Sequence, residues 1–422
     1  MQKLAIFAAS IKRHMPYRNY YLALAALFLL TVLEILCQVY WLRTYDRGIV
    51  SVIYMLLGLA IGFIPLWKVD RPLASGRGVS RAVWVFMALV FGYLVVKTIS
   101  TSQIFMAGTP VDYHVSDVLP IMQVMSQRFV DGQEVYAIIP EIWGGMQPIY
   151  LPAMWMPYIP SVIWQFDPRW ITVFFLLACS ALVLLWPPAG KKLTGWSLLV
   201  LIPTLAMFAN FLRWDPILIS MTDEGVVIGF YVFLAWALWL GNPWLIGIAL
   251  TLSILSRVSL LAWIPFFGLF IWLFESRKKA LQIAGSTLVS GLLFMFITKA
   301  IFYLDVFRAL PGHYLKAVMG EDYWKLKPVI EESLGMAKFL EQKDLPMLQN
   351  LTFLTTLGAP LLCLLLFWRF RDRMNAAFFG IATLKITLVL FFNLLIIPVP
   401  NIFYTSGFLS LAILAFYTQD RV

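Results

Sequence analysis

Charged residues are scarce in this chain: they make up 13% of its 422 residues, whereas apolar residues make up 61%. Ordinary soluble domains carry roughly 25% charged residues, so this composition argues against a large soluble domain. Long apolar runs recur between positions 20 and 417, and a run of about 20 such residues is enough to cross a bilayer. We therefore expect one integral membrane domain over residues 1–422.

Cysteine and histidine are also rare, with three of each. The cysteines all fall inside apolar runs, where a thiol is usually a small buried hydrophobe: Cys37, Cys179 and Cys363. The histidines show no spacing typical of a structural zinc site: His14, His114 and His313. No internal repeat of the kind that builds many transporters is visible. These absences disfavour a disulfide framework, a structural zinc site and a repeat-built transporter.

The apolar runs predict an all-α polytopic membrane protein with about 12 transmembrane helices and two large non-cytoplasmic loops. The predicted spans are 20–42, 49–67, 82–104, 169–187, 195–212, 224–241, 244–257, 258–274, 280–303, 349–368, 375–397 and 401–417. The two short spans before and after Arg257 meet at a hinge over 256–259.

The direction of the chain through the membrane depends on segment 149–166, which is apolar but carries Pro152, Pro157 and Pro160. If this segment lies in the outer interface, the basic loops share one side with the N-terminus, as the positive-inside rule favours: 68–81, 191–192, 277–279 and 369–373. This version places both termini in the cytoplasm. A basic start without a small-residue cleavage site indicates an uncleaved anchor.

Two long loops then face outward, 105–168 and 304–348. The first holds six acids and one base, on a chain whose net charge is +10: Asp112, Asp117, Asp131, Glu134, Glu141 and Asp167 against Arg128. Neither loop has the composition of a disordered linker. We expect both to fold against the membrane, the second as short amphipathic helices.

Several short elements of the sequence form a recognisable order along positions 82–279. They are Asp112-Tyr113-His114 after a span, Gly132 and Tyr136 in a Gly-x-x-x-Tyr pattern, the return Tyr150-Leu151-Pro152, Asp223-Glu224 at a helix start, and Arg257 at a helix break. This order resembles the GT-C superfamily of integral membrane glycosyltransferases, in particular the family 87 type. The chain departs from the usual pattern in having Val258, rather than proline or glycine, after the basic residue.

The resemblance implies a GT-C-like fold and transfer of a sugar from a polyprenyl-phosphate donor to a lipid or glycan acceptor on the non-cytoplasmic face. It implies catalytic roles for Asp112, Asp223 and Glu224, and substrate-binding roles for seven residues: Arg257, Arg128, Arg213, Tyr113, His114, Tyr150 and His313. A bacterial inner (plasma) membrane is the expected location, with membrane lipids as partners and no nucleic acid. The need for a divalent metal stays open.

The same chemistry can be argued from the residues themselves. A sugar hydroxyl is a poor nucleophile, so a carboxylate within hydrogen-bond reach must take its proton, and Asp112 is the first candidate. The leaving phosphate gains negative charge, which a fixed cation such as Arg257, Arg213 or Arg128 stabilises. An apolar segment over 154–164 is a candidate to line a groove for the lipid donor.

Plainer interpretations compete with these roles. Asp117 is expected to cap a helix over 118–129, Asp223 has a capping interpretation too, and His313 after Pro311-Gly312 is expected in a turn. Glu34 and Lys385 are expected either to pair with each other inside the bundle or to contact lipid phosphate. A transporter or flippase of lipid-linked sugars, and an O-antigen polymerase or ligase, are the alternative functions.

Overall fold

The computed structural model describes residues 17–38, 47–69, 81–114, 116–142, 145–186, 191–193 and 195–421. The basic N-terminal residues and most of the loop 68–81 lie outside these ranges, so the anchor prediction is not addressed. Within them the chain is almost entirely helical. Its two strands are dipeptides, β1 (Lys191–Lys192) and β2 (Asp420–Arg421), which pair antiparallel with Lys191 opposite Arg421.

Eighteen α-helices are present in the described ranges. In chain order they are α1 (Arg18–Leu36), α2 (Arg47–Phe63), α3 (Arg81–Gly108), α4 (Val118–Val130), α5 (Pro152–Trp155), α6 (Ile159–Ile163), α7 (Arg169–Leu185), α8 (Leu201–Ala209), α9 (Ile217–Ser220), α10 (Glu224–Leu240), α11 (Pro243–Ile254), α12 (Ile264–Phe270), α13 (Arg277–Ile297), α14 (Leu304–Met319), α15 (Tyr323–Glu332), α16 (Leu345–Phe370), α17 (Ala376–Asn393) and α18 (Phe403–Thr418).

Eight of the described helical segments are long and apolar enough to cross a membrane. They contain α1, α2, α3, α8, α13, α16, α17 and α18. Four further apolar segments are shorter, and they contain α7, α10, α11 and α12. Each of the twelve predicted spans therefore coincides with an apolar helix, and the prediction of an all-α membrane protein is confirmed. The number of crossings stays a prediction.

Local sequence signals explain why the central helices begin and end where they do. Helix α10 ends at Gly241, whose φ of 80° lies in the left-handed region that glycine adopts without strain. Asn242 then caps α11 by accepting hydrogen bonds from the backbone N–H groups of Trp244 and Leu245. These two residues reverse the chain between α10 and α11.

Helix α10 lies at the centre of the bundle and packs closely on α7. A Cβ at Gly225 would come within 2.6 Å of Thr172, and a Cβ at Gly229 within 2.4 Å of Phe175. Real Cβ atoms do not approach other heavy atoms this closely. At Gly225 the close atoms include the backbone carbonyl of Thr172, so this position requires glycine, whereas a side chain at Gly229 would displace the ring of Phe175. The close approach fixes the start of α10 against the middle of the bundle.

The helix bundle contains a fully buried ion pair between Glu34 of α1 and Lys385 of α17, with Nζ 2.5 Å from Oε1. Lys385 also donates to the carbonyl and hydroxyl oxygens of Ser406, at 2.7 and 2.6 Å. Ser410 donates to the second carboxylate oxygen of Glu34. Of the two expectations for these charges, pairing with each other is confirmed. The network joins α1, α17 and α18.

Segments 105–168 and 304–348 keep the names first and second outer loop, after the side of the membrane that is predicted for them. The first of them folds into a layer of its own. Helix α4 packs on the proline-broken segment over 152–163, where Ser126 donates to the carbonyl of Trp155 at 3.0 Å. Trp155 and Tyr158 are fully buried, and only the end of the segment, at Ile163 and Trp164, is exposed. Segment 154–164 therefore supplies core side chains rather than an open groove, which corrects the predicted donor groove.

The buried ion pair predicts a large difference between two lysine substitutions. Lys385→Met leaves Glu34 charged and unpaired in an apolar interior, so the free energy of unfolding should fall by about 3–5 kcal/mol. Lys279→Met breaks a partly exposed pair with Glu275 and should cost about 0–1 kcal/mol. Thermal unfolding of the detergent-purified variants measures both.

The double variant Glu34→Gln/Lys385→Met removes both charges and should recover most of the lost stability. Equal melting temperatures for Lys385→Met and Lys279→Met would contradict this account of the pair.

Candidate functional site

Two acids and one base meet where α10 begins and the chain leaves α11. Glu224 is the first residue of α10, and its Oε1 forms an ion pair with the guanidinium of Arg257, which follows α11. Asp223 precedes Glu224, is buried, and lies within electrostatic range of Arg257. The residues at the start of α10 and just after the end of α11 thus supply all three charges.

The cluster has more hydrogen-bonding capacity than it uses. Oδ2 of Asp223, Oε2 of Glu224 and Nε of Arg257 are all buried without a partner among the described residues. An unpaired buried polar atom is costly. Three of them at one place are typical of a site that a polar ligand or water completes.

Hydrogen bonds to two backbone carbonyls hold the residues before Glu224 and before Arg257 in place. Thr222 lies in the turn before α10; its carbonyl accepts a hydrogen bond of 3.1 Å from the hydroxyl of Thr172 in α7. On the other side, Ala153 donates its N–H to the carbonyl of Leu255 at 3.0 Å, which ties the first outer loop to the end of α11. Arg257 itself is extended, with φ −150° and ψ 138°.

A hydroxyl bridge joins α10 to the residues that follow Arg257. The hydroxyls of Tyr231 in α10 and Ser259 lie 2.6 Å apart, and both side chains are buried. Because Ser259 is two residues from Arg257, this bridge and the Glu224 ion pair hold the same short segment at two points.

Both outer loops bring a tyrosine to the cluster. Burial, together with the charges of Asp117 and Asp223, raises the pKa of Tyr150 in the first loop well above 10. Burial of its hydroxyl likewise raises the pKa of Tyr314 in α14, and the opposing charge of Arg257 acts on the same hydroxyl. Tyr314 remains 46% exposed. The two phenols stay protonated at neutral pH and can donate hydrogen bonds.

Burial is also the main influence on the ionisation of Asp223. It raises the pKa of this carboxyl above its ordinary value of 3.8, and the positive charge of Arg257 opposes the shift. A carboxylate with a raised pKa is a better proton acceptor than an exposed aspartate. The arrangement can therefore take a proton and stabilise a negative charge within one small volume.

Comparison of the chain with protein-family models, with curated proteins and with solved structures finds no match. The chemistry of the cluster is therefore argued from its own residues. Among the described residues no group of three or more His, Cys, Asp or Glu side chains is arranged to hold a metal ion. At the cluster, Asp223 and Glu224 offer two neighbouring carboxylates.

Asp112, the first candidate for the general base, makes a hydrogen bond within its own turn. Its Oδ1 accepts a hydrogen bond of 3.0 Å from the backbone N–H of His114, and the ring of His114 lies against Tyr113 at a centroid distance of 3.9 Å. In the described ranges no hydrogen bond or ion pair joins Asp112 to Asp223, Glu224 or Arg257. The contact between this turn and the start of α10 is made by Ser116, whose hydroxyl donates to Met221 at 3.0 Å.

For three of the predicted substrate-binding residues the structure shows other contacts or an exposed position. Arg128 donates to the carbonyls of Ala137 and Ile138 and so stabilises the fold of its own loop. Arg213 lies over the ring of Trp214, 5.0 Å from its centroid. His313 is exposed inside α14. The expectation that His313 occupies a turn is wrong because the helix continues through Pro311.

Sequence reasoning missed two residues that share the electrostatic environment of the cluster, Asp117 and Tyr314. Asp117 was expected to cap α4, but its side chain makes no capping hydrogen bond. Its charge instead acts on Tyr150 and Tyr314. Asp223 occupies the N-cap position of α10, where its charge can complement the helix dipole, but its side chain also makes no capping hydrogen bond. In both cases the structure shows an acid at the N-cap position whose side chain makes no capping hydrogen bond, which leaves the carboxylate available for other contacts.

The close packing at Gly225 predicts that a single methyl group disturbs the cluster. In Gly225→Ala the new Cβ meets Thr172, so α10 must move and the free energy of unfolding should fall by about 1–3 kcal/mol. The matched control is Gly285→Ala in α13, where no heavy atom lies within 4 Å. That change should be neutral or stabilise the helix by about 0.5–1 kcal/mol.

Thermal unfolding of the two alanine variants provides the comparison. If Gly225→Ala melts at or above the temperature of Gly285→Ala, the start of α10 is not held by this contact.

Proposed function

We propose that the protein is a membrane glycosyltransferase that moves a sugar from a polyprenyl-phosphate donor to a lipid or glycan acceptor at the non-cytoplasmic face. The observation that carries the proposal is the buried cluster of Asp223, Glu224 and Arg257 with its three unpartnered polar atoms. It offers a proton acceptor and a phosphate-binding cation side by side.

Asp223 acts as the general base in this proposal, in place of Asp112. The acceptor hydroxyl gives its proton to Oδ2 of Asp223 as its oxygen bonds to the anomeric carbon. The bond between that carbon and the phosphate oxygen breaks, and its electron pair leaves with the phosphate. General-base catalysis of this kind contributes a factor of about 10²–10⁴ to the rate.

Arg257 stabilises the leaving phosphate. Glu224 holds the guanidinium through one terminal nitrogen, which leaves Nε free to donate. A pre-oriented guanidinium forms charge-assisted hydrogen bonds to phosphate oxygens without rearranging as the charge develops. Glu224 is thus a positioning residue in this mechanism.

An apolar surface beside Arg257 suits a lipid-borne phosphate. The guanidinium side chain is 20% exposed. Val258 and Leu261, which follow it, expose 41% and 54% of their side chains. A phosphate on Arg257 would therefore have its polyprenyl chain on apolar surface, as a donor that stays in the bilayer requires.

The charge dependence of the reaction provides the main test. Asp223→Asn should lower the transfer rate by about 10²–10⁴-fold, measured as transfer of labelled sugar from a polyprenyl-phosphate donor in proteoliposomes. A base must be deprotonated, so wild-type activity should fall as the pH drops through the raised pKa of Asp223.

Two substitutions of Arg257 separate its charge from its geometry. Arg257→Gln removes the charge that lowers the pKa of Asp223, so the acid limb of the residual activity should move to higher pH. Arg257→Lys keeps the charge, so the limb should stay while the rate falls by about 10²–10³-fold. Full activity of Asp223→Asn, with the protein folded, would end the proposal.

The outward orientation of the cluster rests on twelve crossings with both termini cytoplasmic, which we propose from the basic loops. Cysteines placed at Glu141 and Lys278, both exposed, should react differently with an impermeant maleimide on intact cells. Glu141→Cys should be labelled from outside, and Lys278→Cys only after permeabilisation. The native cysteines are buried and give little background. The reverse labelling pattern would place the cluster on the cytoplasmic face.

One observation favours transport of a lipid-linked sugar as the second candidate. The Glu34 and Lys385 pair lies inside the helix bundle, and ionisable groups at such positions often mark a substrate or ion path. The same proteoliposomes separate the two functions, because a transporter moves the donor without forming a glycan product.

A further inference from the structure

A second site lies away from the Arg257 cluster, where the end of α13 meets the first outer loop. A cavity of about 390 Å³ opens there, within the ~300–1,000 Å³ range of small-ligand pockets. Its polar lining comes from the first outer loop and from the residues that follow α13: Gln133, Glu134, Thr298, Lys299 and Tyr303. None of these residues belongs to the cluster proposed for sugar transfer.

The backbone at this cavity is strained. Lys299 has φ 57° and ψ 9°, a left-handed conformation that residues other than glycine and asparagine rarely adopt. It separates α13 from the turn that begins at Ala300, which is fully buried in the core of the outer layer. The conformation holds Lys299 exposed at the cavity while its neighbours Thr298 and Ala300 are buried.

Exposed apolar side chains lie on both sides of Lys299 in the sequence. Phe296 at the end of α13 is 67% exposed and Phe302 is 76% exposed. Both lie within three residues of Lys299, next to the apolar surface of α13, which is one of the helices long enough to cross a membrane. A lysine between two such phenylalanines is in the position where a lipid headgroup meets its acyl chains.

The cavity carries one charge of each sign. Lys299 forms no ion pair within the described part of the chain. Glu134 accepts a hydrogen bond of 2.7 Å from Tyr303 on Oε1, which holds the carboxylate in place and leaves Oε2 to accept another. A ligand that complements both charges has an anion and a hydrogen-bonding cation a few atoms apart.

We propose that this cavity binds the headgroup of a phospholipid that carries a phosphate and a primary ammonium, as phosphatidylethanolamine does. The phosphate contacts Lys299 and the ammonium donates to Glu134, while the acyl chains lie on Phe296 and Phe302. The bound lipid bridges α13 and the first outer loop. This inference stands independently of the proposed sugar transfer.

Lipid binding to the purified full chain, followed by native mass spectrometry, tests the site. Phosphatidylethanolamine should bind more tightly than phosphatidylcholine, whose quaternary amine cannot donate a hydrogen bond, and than phosphatidylglycerol, which has no amine. Lys299→Met should weaken phosphatidylethanolamine and phosphatidylglycerol about tenfold or more, because it removes a charged hydrogen-bond donor.

Glu134→Gln separates the two contacts. Glutamine still accepts from Tyr303, so the fold is kept, but the preference for phosphatidylethanolamine over phosphatidylglycerol should be lost. Lys97→Met, at another exposed lysine on a long apolar helix, here within α3, is the control and should leave all three affinities unchanged. Equal binding of the three lipids by the wild type, or an unchanged preference in Glu134→Gln, overturns the proposal whether or not the protein transfers sugar.

Discussion

The ion pair between Arg257 and Glu224 is the interaction on which the arrangement of the polar cluster and of the chain around it depends. A guanidinium placed among apolar helices needs a partner, because the cost of an unpaired buried charge is several kcal/mol. Glu224 provides that partner from the first turn of α10, and the hydroxyl bridge between Tyr231 and Ser259 holds the same segment a second time. The break after α11 is therefore fixed in space, and the first outer loop is fixed with it through Ala153.

Close packing of α10 on α7 connects the ion pair to the rest of the helix bundle. At Gly225 and Gly229, α10 lies so close to α7 that a Cβ would clash with Thr172 or Phe175. Because Glu224 is the first residue of α10, this packing also fixes the position of its carboxylate. At the start of α7, Arg169 is buried and pairs with Asp167, and it also donates to the carbonyl of Thr109 at 2.6 Å. The end of α3, the end of the first outer loop and the start of α7 are thereby tied together. The start of α10 is thus held by helix packing, and the segment of Arg257 is held by its contacts with α10 and with the first outer loop.

The helices were predictable from the sequence because apolar runs of this length have few alternatives in a membrane. The predicted span 224–241 corresponds to α10. The pairing of Glu34 with Lys385 was one of two expectations for these charges, and the structure distinguishes between them. The approach of Tyr314 and Asp117 to one another was not predictable, because it depends on how two loops nearly 200 residues apart pack. The prediction named His313, whereas its neighbour Tyr314 shares the electrostatic environment of the cluster. Adjacent residues of a helix point about 100° apart, and the sequence alone does not fix which of them faces a given site.

The two charged networks of the molecule differ in how completely they are satisfied, and this difference distinguishes their roles. Lys385 has three donors and three partners, namely Glu34 and two oxygens of Ser406, and both carboxylate oxygens of Glu34 are occupied. A ligand would have to displace existing bonds there, which suits a network that holds helices together. At the other cluster, Asp223, Glu224 and Arg257 each retain a buried atom without a described partner. A ligand would gain bonds without displacing any, so the incomplete network is the better candidate for chemistry.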